Sequence, residues 1–419
     1  MSADIDDLQT FLDGSPSTFH VAATVAARLE AAGIAELSPG GDDGNVSNDG
    51  FIVRDGALIA WRNATGVLPT AGFMITGAHS DSPGFRVKPN PDSLRFGWKT
   101  LNIEVYGGIL NNSWLDRDLG VAGRVTNVDG THTLVNVARA IARIPQLAVH
   151  LDRTVNDALT LDRQLHLRPV WGLGDAQGGG FAQWLADEAR LAEVPVLWDL
   201  SLYDVQPSAV LGADSSLLAS GRLDNQLSCW SATSALIAAT TSDHTAMIVL
   251  NDHEEVGSAS TTGASGPLLE HVMERIVMAR GGDRSAFLTA LANSSCVSAD
   301  NAHAIHPNYP DRHDGEHAPM VNAGPAIKIN ANQRYATSSA TAARFIRSCN
   351  DAGVAFQTFV SRNNMPCGST IGPLTATRLG IDTVDVGIPQ LSMHSARELC
   401  GTQDPVAMTS ALTSFFADV

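Results

Sequence analysis

Apolar residues along this chain follow two rhythms, and the switches between them mark its elements. Over residues 5–32 the spacing is helical. Asp13-Gly14-Ser15-Pro16 interrupts that run, and Gly33 stands where a helix C-cap belongs. Phe51-Ile52-Val53 and Ala57-Leu58-Ile59-Ala60-Trp61 flank Asp55-Gly56, the signal of a hairpin. Residues 72–78 form a short apolar run that reads as a buried strand delivering His79 at its end. Residues 101–109 and 121–128 read as β-structure inside a segment of different texture, about 91–207. Within it the glycine-rich run 172–180 lacks a flanking βαβ unit, so a loop is expected there and not a phosphate cradle.

The α/β alternation resumes near Ser220. Helices are expected over 224–240, 266–280, 285–293, 338–350 and 405–417. Strands are expected over 246–250, 295–299, 326–329, 355–360 and 383–386. Strands alternating with helices predict an α/β class, and the expected architecture is an α/β/α sandwich with a mixed sheet. The expected division is a discontinuous larger unit, residues 1–90 and 215–419, with a smaller β-rich unit inserted over 91–214.

Composition narrows the function. At 419 residues the chain exceeds a typical single core. Its 44% hydrophobic and 17% charged residues are those of an ordinary globular protein. No run of about 18 apolar residues predicts a membrane span. The N-terminus is acidic and lacks the features of a signal peptide. Five scattered cysteines without a CxxC pair point to reduced thiols, a cytoplasmic location and no cysteine-based zinc site. A net charge of −17 argues against nucleic acid, which needs a basic footprint. An acidic substrate would need dedicated local cations.

The chemistry gathers around Asn251-Asp252-His253-Glu254-Glu255-Val256-Gly257-Ser258, which follows the 246–250 run. In open α/β sheets ligands bind in the crevice beyond the strand carboxyl ends. Neighbouring side chains on an extended segment point opposite ways, so Glu254 and Glu255 are expected to do different jobs. His79, Asp224, Glu255, Asp300 and His394 all have metal-ligand chemistry, and three of them sit just past apolar strands. Imidazole nitrogen and carboxylate oxygen suit zinc, with manganese or cobalt as substitutes. Three carboxylates and two neutral imidazoles carry a formal charge of about −3, which two divalent ions and one hydroxide balance. Glu254, beside a ligand but not needed as one, is free to act as general base. Asp81, two residues after His79, either orients that imidazole or serves as a turn residue before Pro83. His313-Asp314-Gly315-Glu316-His317 matches the HxxEH zinc pattern, but that pattern needs a helix. Gly315 inside it, with Pro310 and Pro319 close by, makes a ligand pair unexpected.

The segments GAHSDSPGFRVK at 77–88, RLDN at 222–225, DHEEVGS at 252–258, SADNAHAIHPNY at 298–309 and SMHSARE at 392–398 resemble, in order, the motifs of the aspartyl aminopeptidase family. The resemblance implies a co-catalytic two-zinc aminopeptidase that removes acidic N-terminal residues from peptides through a metal-bridging water. It implies that Asp224 bridges the metals, with His79 and Asp300 completing one site and Glu255 and His394 the other. It assigns Glu254 as general base and His303, Lys328 and Tyr335 as substrate contacts. It also assigns to substrate binding His150, a residue of the smaller unit. That unit would serve as a dimerisation or lid domain, with dimers assembling into a tetrahedral dodecamer. The alternatives are a dinuclear aminopeptidase or deacylase of other specificity, because the pocket and not the metals selects the substrate, and a catalytically silent scaffold of the same fold.

Overall fold

The computed structural model describes residues 3–38, 46, 48–63, 66–174, 180–240 and 243–417. Its main sheet has nine strands, in the order Ala35–Glu36, Gly50–Arg54, Ala57–Asn63, Thr245–Asn251, Phe73–His79, Ser295–Ala299, Asp382–Gly387, Ala326–Ile329 and Gln357–Val360. The four strands from Thr245–Asn251 to Asp382–Gly387 run parallel, while Ala57–Asn63 and Ala326–Ile329 pair antiparallel on either side of them. The sheet is mixed, as expected. Thr245–Asn251, Phe73–His79 and Ser295–Ala299 are buried at every position. Both faces are covered, which is why these strands read as unbroken apolar runs.

The two faces separate by residue parity. Met74, Ala78, Ala246, Ile248, Leu250, Val297 and Ala299 pack with Leu227, Trp230, Phe345, Leu412 and Phe415. Those partners come from helices Leu223–Ala238, Ser339–Asp351 and Asp404–Ala417. Phe73, Ile75, Met247, Val249 and Cys296 face the other way, onto Val272, Ile276 and Phe287 of helices Leu268–Ala279 and Arg284–Ala292. The result is the expected three-layer α/β/α sandwich.

A second sheet of six strands is antiparallel throughout: His132–Ala142, Leu119–Thr126, Leu197–Asp204, Gly84–Arg95, Trp98–Tyr106 and Val170–Leu173. It has its own core, including Phe85, Trp114, Val121, Phe181, Leu185 and Leu202. Helix Gly180–Ala189, not anticipated from the sequence, supplies Phe181 and Leu185. The glycine-rich run therefore starts as a strand end and finishes as a helix start, and its residues 175–179 lie outside the described ones.

A third sheet links the parts: Ala209–Leu211, Leu217–Ser220, Glu398–Gly401, Pro389–Leu391 and Ala302–His303. Its strands have two to four residues, too few to show a period. It carries the segments around Asp300 and His394 to the carboxyl ends of the parallel strands. Space there is tight: a Cβ on Gly387 would sit 2.1 Å from the Asp300 carbonyl oxygen.

Candidate metal centre

The parallel strands Thr245–Asn251, Phe73–His79 and Ser295–Ala299 end at one crevice. His79 is the last residue of its strand and pairs in register with Asn251, so the turn after Asn251 lies beside it. Asp300 follows Ser295–Ala299 directly. Asp224 enters from the first turn of Leu223–Ala238, where Asp224 and Asn225 depart from helical geometry. His394 follows Pro389–Leu391 with a left-handed backbone, φ 67°.

Asp224 divides its two oxygens between two groups. Its Oδ1 lies 3.5 Å from His79 Nε2, which lies 3.6 Å from Asp300 Oδ1. Its Oδ2 lies 3.3 Å from His394 Nε2, which lies 3.4 Å from Glu255 Oε1. These separations exceed the 2.7–2.9 Å of a charge-assisted hydrogen bond. Two ligand atoms on one tetrahedral ion, each bonded at about 2.1 Å, lie about 3.4 Å apart. Asp224 Oδ1 and Glu255 Oε1 are buried with no hydrogen-bond donor, a condition that burial penalises unless a cation meets them. The sets His79–Asp224–Asp300 and Asp224–Glu255–His394 each keep their ligand atoms within 4.8 Å. The residues present therefore fit divalent ions.

The electrostatics agree. Burial alone would lower His79 and His394. For His79 the carboxylates of Asp224, Asp300 and Asp81 outweigh it and hold the ring well above its usual value. For His394, Asp224 and Glu255 do the same and raise it to about 10. Burial raises Glu255 well above the usual carboxylate range, with the Asp224 charge adding to it. Burial also pushes Glu254 up to about 7; Asp300, Asp224 and Asp81 add to the shift and His79 opposes it.

Glu254 and Glu255 are not on an extended segment, contrary to the expectation. They lie in a 3-10 turn, Glu254–Val256, entered through His253 at φ 64°. Their separation of roles comes from that turn and from Asp81. The Glu254 N–H donates to Asp81 Oδ1 and the Glu255 N–H to Oδ2, each at 3.1 Å. The Tyr106 hydroxyl donates to Oδ2 at 2.7 Å. His79 Nδ1 lies 3.1 Å from the Asp81 carbonyl and 3.4 Å from Oδ1, which leaves Nε2 turned to Asp224 and Asp300. Glu254, Glu255 and His79 bring their ligand atoms within 4.8 Å of one another.

Lys328 is 3% exposed, with Nζ 3.7 Å from Asp300 Oδ2 and 5.3 Å from the centre of the Tyr335 ring. It sits on the strand face turned to the centre. His303 and Tyr335 line an adjoining cavity of about 240 Å³ with Phe359, Arg312 and His313. The enclosing protein and the Lys328 charge lower His303, while burial raises Tyr335. His150 is not brought to this site within the chain; it lies on an exposed turn. The HxxEH segment is a turn, as its glycine predicts. His313 accepts from the His306 N–H, His317 pairs with Asp314 at 2.8 Å, and neither belongs to a ligand group among the described residues.

Sequence reasoning missed two supports. The segment after Trp98–Tyr106 reaches the centre: Gly108 O lies 3.0 Å from His394 Nδ1, and the Leu110 N–H donates to His394 O at 3.0 Å. Glu398 accepts the Asp224 and His394 backbone N–H groups. Burial pushes its carboxyl up to about 8, and the Asp224 charge adds to the shift. No spacing rule marks either support, although Glu398 closes the SMHSARE motif.

Fold and site together define an α/β/α metalloprotein whose ligands converge at strand carboxyl ends. The profile of the family described as aminopeptidase I zinc metalloprotease (M18) matches residues 11–416, and the chain belongs to that family. It is therefore a hydrolase, a zinc aminopeptidase. The probable M18 family aminopeptidase 2 of Streptomyces coelicolor is 50% identical over 417 residues, covering 98% of this chain and 96% of its own length. Among solved structures, Ape4 from its complex with Nbr1 is 34% identical with a TM-score of 0.94, covering 99% of this chain and 85% of its own. A chain of the S. cerevisiae mApe1 dodecamer is 27% identical with a TM-score of 0.86, covering 98% and 96%. No helix among the described residues is long and apolar enough to cross a membrane.

Proposed function

We propose that the enzyme removes N-terminal Asp or Glu from peptides, using two divalent ions held by His79, Asp224, Glu255, Asp300 and His394. The observation that carries this reading is the split of Asp224, each oxygen facing its own ligand pair. Bound ions supply the charge that activates water and polarises the scissile carbonyl. Glu254 is the general base: it takes a proton from the attacking water and returns it to the leaving amine. Asp81 holds it in place through the backbone of the 254–256 turn.

Specificity is assigned to Lys328, His303 and Tyr335, which place a buried ammonium and an imidazole beside a cavity of suitable size. Lys328 also lies near Asp300, so its loss touches the centre as well as the pocket. A hydrogen bond to a charged group is worth about 1.5–3 kcal/mol, or roughly 10- to 150-fold in rate. Lys328→Met is expected to lower kcat/KM on N-terminal Asp and Glu derivatives by that factor and on Ala and Leu derivatives by less. The wild-type panel tests the reading first: Ala or Leu released faster than Asp and Glu would reassign the pocket. An unchanged Asp-to-Ala ratio in Lys328→Met would assign the lysine to Asp300 alone.

The proposal extends to assembly: the unit 91–214 serves as a dimerisation or lid domain, and dimers build a tetrahedral dodecamer. The yeast relative is a dodecamer. The turn carrying His150 exposes Leu147, Val149 and Leu151, apolar surface suited to a subunit contact. His150 then completes a neighbouring subunit's pocket. Co-refolded His150→Ala and Glu254→Gln chains, each inactive alone, are expected to recover part of the activity; none in verified mixed oligomers would place His150 outside the reaction. A cytoplasmic site of action is supported by five free thiols, four of them buried.

A further inference from the structure

Asp224 and His394 lie far apart in sequence, yet one buried carboxylate holds both main chains. Glu398 opens the strand Glu398–Gly401 and is 2% exposed. Its Oε2 accepts the Asp224 N–H at 3.1 Å. Its Oε1 accepts the His394 N–H at 2.7 Å and the Gln390 side-chain amide at 3.2 Å. Gln390 Oε1 in turn accepts from Asn301 Nδ2 at 2.8 Å, and the same nitrogen donates to Leu223 O at 2.8 Å. Asn301 follows Asp300, and Leu223 precedes Asp224. Glu398, Gln390 and Asn301 therefore tie together the backbone beside three of the five ligands.

Two features show that this network does more than fill space. All three groups donating to Glu398 are neutral amides, so no cation donates to this buried carboxylate, and an apolar residue there would leave those buried donors without an acceptor. His394 also has a left-handed backbone, as does Ser392 at φ 58°. Non-glycine residues stay in that region only where their surroundings over-determine it, and the short bond from the His394 N–H to Glu398 is such a constraint. We infer that Glu398 is a positioning residue that sets the main-chain geometry of Asp224 and His394, and through it the affinity for the ion those two hold with Glu255. The inference rests on the two-ion reading above.

Glu398→Gln keeps the shape but offers one acceptor oxygen where two are used, and turns an NH₂ toward a backbone donor. The apparent dissociation constant for zinc at the Asp224–Glu255–His394 set is expected to rise by about 10- to 150-fold. The probe is zinc chloride titrated into chelator-treated full-length enzyme, with zinc per chain counted by elemental mass spectrometry after dialysis. At saturating zinc, melting temperature and kcat should return close to wild type, which a merely structural defect would not do. Unchanged zinc affinity, or a kcat that stays low with both ions bound, would overturn the inference. If Glu398→Gln does not fold, Gln390→Met removes one donor from the same carboxylate and should weaken zinc in the same direction; unchanged affinity there overturns it equally. Wild-type enzyme that takes up fewer than two zinc ions would instead overturn the two-ion reading, so the two failures are distinct.

Discussion

Glu254→Gln should lower kcat by about 10²- to 10⁴-fold, the usual cost of losing a general base, while zinc content stays at the wild-type level. The substitution preserves volume and leaves the backbone alone. The Glu254 N–H that donates to Asp81 belongs to the main chain and survives the change. His79, Asp224, Asp300, Glu255 and His394 form their two ligand sets without Glu254. The loss should therefore fall on kcat, with KM and zinc per chain little changed. Kinetics on an N-terminal Asp derivative, paired with elemental analysis of the same sample, makes the check. Full activity in the variant would remove Glu254 from the reaction; a fall in zinc content would make it a ligand.

Asp224→Asn should do the opposite and empty the centre. One carboxylate serves both ligand pairs, and an amide can offer an oxygen to one of them while turning NH₂ toward the other. Losing an outer partner of a metal ligand costs about 10- to 100-fold in affinity, and losing a shared ligand should cost more. The variant should leave dialysis with less than one zinc per chain. It should also lose the stabilisation that bound zinc gives: a ligand that binds only the folded state at 100 times its dissociation constant adds about 2.7 kcal/mol. Wild-type enzyme should melt at a lower temperature after chelation and recover with zinc, whereas Asp224→Asn should melt at the same temperature with or without it. Two ions retained by the variant would refute the shared-ligand assignment.

The frame of the molecule was legible because parallel strands buried on both faces leave unbroken apolar runs. Those runs end on His79, before Asp300 and just before the Glu254-Glu255 pair, so the sequence pointed at the crevice as well as the sheet. What it could not show depends on contacts across the fold. The third sheet is made of strands too short to carry a period. Glu398 closes the SMHSARE motif, but no spacing rule shows that it meets Asp224 across 174 positions of chain. The 254–256 turn hinges on a left-handed histidine, a conformation few non-glycine residues adopt and one that no periodicity reveals. Lys328 is the one charged residue of the apolar strand Ala326–Ile329, but its nearness to Asp300 exists only in three dimensions.

The segment from Tyr106 to Leu110 gives the second sheet a share in the chemistry. Gly108 accepts from His394 Nδ1, so it decides which ring nitrogen is left bare to meet an ion, while Tyr106 holds Asp81. If the sheet shifts, Gly108 and Tyr106 shift with it, so zinc occupancy and the seating of that sheet would be linked: whatever steadied the sheet would tighten the metal, and the metal would in turn steady the sheet. A subunit docking on the sheet's outer surface would act on catalysis at a distance, without touching a ligand. An isolated chain and an assembled one could then differ in how firmly they keep their zinc, even with every ligand in place.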